Sequence, residues 1–368
     1  MTSLFEPLTL RGLTVPNRVW MPPMCQYSAE AEGPLTGVPT DWHFQHLASR
    51  AAGGAGLIIL EATGVSAEGR ISPFDLGLWN DAQQEAFRRI TAFLESQGAV
   101  PGIQLGHAGR KASTDAPWRG GGALRPEEGG WTPVAPSAIP FDDASPVPAE
   151  LSTEEIAEVV RQFADAARRA LAAGFKTVEL HGAHGYLIHQ FLSPASNHRT
   201  DAYGGPLENR MRFALEVATA VREVWPDELP LLFRLSATDW LENDEDADTP
   251  GWTVEDSVRL AKELQAVGVD LIDVSTGGNI PRPRIPVGPG YQVPFAERLR
   301  REAGIRTAAV GLITEAEQAQ RILDEERADA VLIGRELLRS PYWPRRAAEL
   351  LGDGDGVTTP PQYARAYR

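Results

Sequence analysis

Two histidines and a tyrosine lie close together in the stretch VELHGAHGY, residues 178–186. His181 and His184 could bind a metal ion, hold a substrate carbonyl oxygen as negative charge develops on it, or satisfy loop backbone. Tyr186 could supply a proton. A metal site needs a third ligand, and neither H-x-H nor H-E-x-x-H spacing occurs. The pattern favours an oxygen clamp beside a proton donor, with a metal-dependent hydrolase as the alternative.

Two glycines in similar settings indicate a phosphate site. Gly311 and Gly334 each end a short apolar run, and Arg335 follows the second glycine. Glycine lets backbone N–H groups approach an anion closely, and arginine adds a bidentate charge. The alternative interpretation is that both glycines form tight turns and that the arginine is solvated. No G-x-G-x-x-G follows a strand and no Walker lysine loop occurs, which disfavours a dinucleotide bound in the usual way.

The elements that must position these residues follow a regular alternation of apolar runs and amphipathic segments. Eight apolar runs are present, at residues 18–21, 56–61, 100–105, 177–181, 231–235, 271–274, 307–310 and 330–333. Strands that are apolar on both faces, each followed by a helix, predict a parallel sheet. Eight such units predict a (β/α)8 barrel, whose chemistry takes place at the C-terminal ends of the strands.

Capping signals predict where several helices begin. Ser152 with Glu155 and Thr314 with Glu317 have capping-box spacing, and Thr253 with Asp256 is a weaker version. Helices are predicted to follow from Asp41, Asp81, Ser152, Arg210, Thr253, Val293, Thr314 and Arg335. Residues 8–15 predict a hairpin that plugs the barrel's N-terminal mouth.

Two segments interrupt the alternation. Residues 106–150 form a long connection after the third strand, rich in Gly and Pro, which is typical of a functional loop. The acidic run at 242–248 is interpreted as a solvated loop without a calcium site, because the spacing of a calcium-binding loop is missing.

Composition excludes several classes of protein. The chain has 368 residues and a formal net charge of −15, which argues against nucleic acid as a partner. Cys25 is the only cysteine, so one chain can form neither a disulfide nor a cysteine-ligated cluster. No apolar run approaches the length of a membrane span, and the first residues lack a signal-peptide pattern. A cytoplasmic protein without membrane contact is expected.

The run HGAHGYLIHQFLSPASNHRTDAYGGPLENRMRF, residues 181–213, resembles the signature of the old yellow enzyme family of flavin-dependent ene-reductases. Further matches are LFEP at 4–7, QLGHAGRK at 104–111, FRLS at 233–236, IGRE at 333–336 and PQY at 361–363. The resemblance therefore covers nearly the whole chain. PPMCQYS at 22–28 is similar to the bacterial, thermophilic-like branch, which carries a cysteine at the position of Cys25. The segment 120–133 is longer than the family's pattern.

The resemblance implies one FMN-binding barrel domain over residues 1–368, with FMN bound non-covalently and NADPH or NADH as reductant. His181 and His184 would hold the carbonyl or nitro oxygen of an activated alkene, and Tyr186 would protonate its α-carbon after hydride reaches the β-carbon. Tyr27 would line the substrate pocket. Contacts to the flavin would come from Pro22, Pro23, Met24, Cys25, Ala62, Gln104, Arg234, Gly311, Gly334 and Arg335. No metal is implied.

Within this set, Arg234 would neutralise the flavin's N1–C2 edge and Gln104 would pair with its pyrimidine edge. A buried arginine is costly without a partner, and the flavin would provide one. Cys25 would tune the flavin's redox potential without attacking the substrate.

The same resemblance implies self-association. The tail, residues 357–368, would contact a neighbouring subunit of a homodimer or a tetramer of dimers. Arg365 would there reach into the neighbour's substrate pocket. Besides the metal-dependent hydrolase, a non-catalytic barrel retained for binding remains an alternative.

Overall fold

A closed barrel of eight parallel strands forms the centre of the molecule, in the order β10-β11-β12-β3-β4-β5-β8-β9. The computed structural model describes residues 2–242 and 249–366. The strands are β1 Leu8–Leu10, β2 Leu13–Val15, β3 Val19–Met21, β4 Leu57–Gly64, β5 Val100–Gly106, β6 Val134–Ala135, β7 Ala149–Glu150, β8 Thr177–Gly182, β9 Leu231–Ser236, β10 Leu271–Ser275, β11 Arg306–Ala309 and β12 Ala330–Leu332. The predicted (β/α)8 barrel is confirmed, and each predicted barrel strand overlaps an observed one.

Helices connect the strands and cover the barrel. They are α1 Asp41–Ala52, α2 Asp81–Ser96, α3 Thr153–Ala172, α4 Leu187–Leu192, α5 Leu207–Val224, α6 Val254–Ala266, α7 Val293–Ala303, α8 Ala316–Asp324, α9 Arg335–Arg339 and α10 Trp343–Leu350. The sequence patterns missed α4 and α10, which are short. No helix among the described residues is long and apolar enough to cross a membrane.

The predicted capping boxes had different outcomes. Those of Ser152 and Thr253 are present. That of Thr314 was wrong: its hydroxyl donates to the side chain of Glu315, which itself is the N-cap residue of α8. The start of α5 was also wrong, because that helix begins at Leu207 directly after Pro206, three residues before the predicted Arg210. Pro206 is the N-cap residue, a position whose missing N–H costs no intrahelical hydrogen bond.

The N-terminal hairpin pairs β1 with β2 antiparallel. Its buried side chains Leu8, Leu10 and Val15 belong to the same apolar cluster as Leu232 and Leu271 of the barrel strands. That the hairpin closes the N-terminal mouth stays a prediction.

The long connection after β5 folds back over the C-terminal ends of the strands. It contains the small parallel sheet of β6 and β7. The guanidinium of Arg110 donates to the carbonyl oxygens of Ile139 and Pro140 and, at 2.8 Å, to that of Asn279 after β10. These bonds fix the two ends of the connection against the barrel. The acidic run predicted as a loop lies mostly outside the described residues, at 243–248.

Candidate active site

The three side chains that drew attention in the sequence lie together at the end of β8. The ring of His181 is 5.1 Å from that of His184 and 4.8 Å from that of Tyr186, between centroids. Both pairs meet edge to face. His184 adopts a φ of 58°, which turns the chain sharply after the strand and directs both imidazoles to the same end of the barrel.

Hydrogen bonds indicate which nitrogen of His181 carries the proton. The backbone N–H of Ala183 donates to Nδ1 of His181 at 3.3 Å, so a neutral ring carries its proton on Nε2. Burial lowers the pKa of His181 well below its ordinary value, and the cations of Arg234 and Lys111 act in the same direction. The ring is therefore a neutral hydrogen-bond donor at physiological pH.

His184 differs from its partner in surroundings. It is more exposed than His181, and its Nε2 lies 3.0 Å from Oγ of Ser275. Burial again lowers its pKa well below the ordinary value, with Arg234 as the next cause. The hydroxyl of Ser275 thus occupies the nitrogen that a substrate oxygen would need, unless the hydroxyl or the ring turns.

A buried contact between a histidine and an aspartate supports the loop that carries these rings. The N–H of Gly185 donates to Nδ1 of His189 at 3.0 Å, and Nε2 of His189 lies 3.0 Å from Oδ1 of Asp239. Both side chains are fully buried. Asp239 also accepts from the hydroxyl of Ser193 and from the N–H of Trp252. The backbone at Gly185 is therefore fixed from below by α4 and by the segment after β9.

Lys111 ties three loops together above the site. Its Nζ donates to the carbonyl oxygens of His184 and Gly278, both at 2.9 Å. The ammonium also lies over the rings of Phe141 and Tyr186, at 4.6 and 5.2 Å from their centroids. Burial lowers the pKa of Lys111 to about 8, with Arg110 as a smaller cause. The amine is mostly charged at neutral pH and holds the loop after β8 in place.

A cavity of about 300 Å³ adjoins His184 at the ends of β9 to β12. Five predicted site residues line it, namely His184, Arg234, Gly311, Gly334 and Arg335. At Gly311 the φ is 122°, and a Cβ atom would lie 2.9 Å from Nε2 of Gln292. A side chain there would therefore fill the cradle, whereas glycine leaves it open. Arg339 also lines the cavity but is paired with Glu336. The remaining donors, Arg234, Arg335 and open backbone, suit a polar ring that carries a phosphate.

Arg234 has a partner within its own chain, in addition to the flavin that the resemblance implies. Its Nη1 lies 2.5 Å from Oδ2 of Asp273 on the neighbouring strand β10. Gln104, on β5, donates from Nε2 to Oε1 of Glu179 on the neighbouring strand β8 at 2.8 Å. Sequence reasoning missed Asp273 as a site residue. The acid within the otherwise apolar run LIDV, residues 271–274, was the signal that could have found it.

The remaining predicted residues are divided between two places. Ala62, His181 and Tyr186 line a second, smaller cavity beside the first, and Cys25, Tyr27, Ala62 and Tyr186 pack against the same small apolar cluster. Pro22 and Met24 lie next to Gly334, within 3.8 Å of the position of a Cβ atom there. Pro23 is half-buried in the same segment.

Burial keeps the thiol of Cys25 and the phenol of Tyr186 protonated. Burial raises the pKa of the Cys25 thiol well above its usual value, and Asp75 and Glu61 add to the effect. Burial likewise raises the pKa of Tyr186 well above its ordinary range. Tyr186 therefore keeps its proton at neutral pH, as a general acid must.

Arg365 is not brought to this site by its own chain. It lies exposed in the short helical turn Pro361–Ala366. Within residues 2–242 and 249–366, no three His, Cys, Asp or Glu side chains gather into a potential metal site. The two histidines thus have no third ligand in that part of the chain.

Comparisons with known proteins show what the whole chain is similar to. The model of the NADH:flavin oxidoreductase / NADH oxidase family matches residues 3–353. An NADPH dehydrogenase of Listeria innocua is 52% identical over 368 residues, which is all of both chains. One of Geobacillus thermodenitrificans is 49% identical over 367 residues, covering 100% of this chain and 99% of the relative. The solved structure of the old yellow enzyme homologue from Zymomonas mobilis superposes with a TM-score of 0.76 at 29% identity, covering 98% of each chain.

Proposed function

The chain belongs to the NADH:flavin oxidoreductase / NADH oxidase family, the family of old yellow enzyme, and from that premise we propose that it is an ene-reductase for activated alkenes. It is an FMN-dependent oxidoreductase that uses NAD(P)H. The proposed substrates are α,β-unsaturated ketones and aldehydes, maleimides and nitroalkenes. Their shared feature is a carbon–carbon double bond polarised by an oxygen-bearing group.

One observation carries this proposal: a neutral, buried imidazole with an outward N–H lies beside a second imidazole and a protonated phenol. A donor aimed at a carbonyl or nitro oxygen stabilises the negative charge that develops there in the transition state. His181 donates from Nε2. His184 provides the second donor once Ser275 releases its Nε2.

Tyr186 completes the reaction by giving a proton to the α-carbon of the substrate. Its high pKa keeps it protonated before the reaction. The ammonium of Lys111 over its ring face orients the phenol and favours a negative charge nearby.

FMN, when bound, supplies the two-electron carrier that connects NAD(P)H to the alkene. Gly311, Gly334 and Arg335 would hold its phosphate, because these residues line the cavity with backbone donors and a guanidinium. Arg234 and Gln104 would contact the polar edge of the ring. Pro22, Pro23, Met24, Cys25 and Ala62 would pack against the remaining edges.

The substrate pocket would be completed by Tyr27 and by an arginine from a second subunit. Arg365 is exposed and lines neither cavity of its own chain, which supports a role in trans in a homodimer or a tetramer of dimers. The guanidinium of Arg365 would then close the substrate pocket of the neighbouring subunit.

A visible absorption spectrum of the purified protein tests the proposal. A yellow protein that NADPH bleaches without oxygen, and that cyclohexenone then recolours, is the expected result. A colourless protein that a chelator inactivates would select the metal-dependent hydrolase. Bound flavin that NADPH never reduces would select the non-catalytic barrel.

A further inference from the structure

Four polar side chains form one layer inside the barrel, directly below the cavity. Side chains alternate along a strand, so Leu232 and Arg234 share the interior face of β9, and Leu271 and Asp273 share that of β10. The leucines belong to the apolar cluster at the bottom. Arg234 and Asp273 lie one step higher, and Gln104 and Glu179 face the same interior from the neighbouring strands β5 and β8. All four side chains are buried.

The hydrogen bonds of this layer leave two oxygens without a donor. Glu179 accepts from Gln104 through Oε1, and Asp273 accepts from Arg234 through Oδ2. The other oxygen of each carboxyl, Oε2 of Glu179 and Oδ1 of Asp273, is buried and has no donor among the described residues. Two orphaned carboxylate oxygens would be very costly in this interior.

One proton can satisfy both orphaned oxygens at once. The two carboxyls interact with each other directly, and burial raises the pKa of Glu179 well above its ordinary value, with the charge of Asp273 as the next cause. A protonated Glu179 donates from Oε2 to Oδ1 of Asp273, while its Oε1 still accepts from Gln104. Every polar atom of the two carboxyls then has a partner.

We propose that Glu179 and Asp273 share a single proton, and that this pair sets the net charge which Arg234 presents to the flavin edge. Both residues are positioning residues, since neither lines the cavity. The predicted effect on the flavin rests on the proposed function, because it assumes that FMN lies in the cavity beside Arg234. The shared proton itself is a property of the chain.

Charge counting gives the consequence of the pair. With one proton, Arg234 and the pair together are neutral. With both carboxyls ionised, the layer would carry one net negative charge, which would oppose the addition of electrons above it. The proton therefore keeps the guanidinium available to the flavin's electron-rich edge.

Glu179→Gln separates these two states in the holoenzyme. Glutamine is nearly isosteric with the protonated acid, accepts from Gln104 through its oxygen and donates to Asp273 through its amide. If the proton is shared, the FMN affinity of Glu179→Gln should stay within about twofold of that of the unchanged protein. Its flavin midpoint potential should stay within about 10 mV. If both carboxyls were ionised, the substitution would remove a negative charge, and the potential would rise by about 30 mV or more, a tenfold change in the reduction equilibrium.

The double variant Glu179→Gln with Asp273→Asn provides the positive control. It leaves Arg234 as an uncompensated cation, so the midpoint potential should rise by at least about 30 mV. Thermal unfolding of both variants checks that each is folded. An unchanged potential in a folded double variant would overturn the proposed influence on the flavin.

Infrared spectroscopy tests the proton independently of the flavin. Well above pH 7, where the buried Asp75 with its pKa of about 7 is ionised, the unchanged protein should show the carbonyl band of a buried protonated carboxylic acid, shifted in D2O and absent from Glu179→Gln. The absence of this band from the unchanged protein would overturn the shared proton. A protein that shows the band but binds no FMN would instead refute the proposed function and retain the pair.

Discussion

Replacing His181 by alanine tests the oxygen clamp directly. His181 is only 4% exposed, and its N–H points away from the Ala183 backbone that fixes the other nitrogen. Loss of one such preorganised donor lowers a rate constant about 100- to 1000-fold, or roughly 2.7–4 kcal/mol. We expect a loss of that size in the reoxidation of reduced enzyme by cyclohexenone, because the oxygen of the alkene loses a buried donor. His184→Ala should cost less, since Ser275 already competes for its Nε2.

The assay is anaerobic stopped-flow absorbance at the flavin band, after reduction with dithionite so that nicotinamide binding is bypassed. His181→Asn retains a donor and should recover part of the loss. His198→Ala is the matched control, because His198 is exposed and contributes only its backbone N–H to a hydrogen bond. FMN affinity should stay within about threefold in all variants. A reoxidation rate within twofold of the unchanged enzyme, or loss of FMN from His181→Ala, would refute the assigned role.

Three further predictions concern the cofactor, acid stability and the tail. Arg335→Ala should weaken FMN binding about 10- to 100-fold, because a charge-assisted hydrogen bond is lost. Fluorescence titration of the apoprotein with FMN measures this change, and Arg301→Ala on the surface is the control that should leave FMN binding unaltered. The pKa of His181 is lowered in the folded state, so the unfolded chain binds its proton first and stability falls below about pH 6.5, by about 1.4 kcal/mol per pH unit. The free energy of unfolding, measured with denaturant at pH 7 and pH 5, should fall less between these two pH values in His181→Ala than in the unchanged protein. An equal fall in both proteins would contradict this prediction. Arg365→Ala should raise KM for cyclohexenone about tenfold while FMN stays bound, and an unaltered KM, or an active monomer in gel filtration, would exclude a role in trans.

Much of the fold could be predicted from the sequence, because the barrel strands are apolar on both faces and recur at similar spacing. Helix starts were predictable where a cap side chain bonds locally, as at Ser152. The predicted helix start at Thr314 was wrong, because the Thr314 hydroxyl donates to the side chain of Glu315 and does not cap the helix. Short helices such as α4 carry too few turns to show a period.

The types of residue in the site could be predicted from the sequence, whereas the side chains that form hydrogen bonds with them were harder to predict. The spacing of His181, His184 and Tyr186 indicated their shared function, since all three follow one strand. Contacts between strands are set by the register of the barrel, which no local pattern encodes. For this reason the bond from Arg234 to Asp273 and the Ser275 hydroxyl at His184 became visible only in the folded chain.

The attachment of the long connection after β5 has a practical consequence for redesign. Arg110 secures its beginning to residues 139–140 near its far end, and Trp118 in between is 67% exposed while touching Tyr27 edge to face. We therefore expect that the middle of this segment can be exchanged between relatives while the rings of β8 keep their own supports. Such chimaeras offer a route to altered substrate preference in which the catalytic groups keep their original supports.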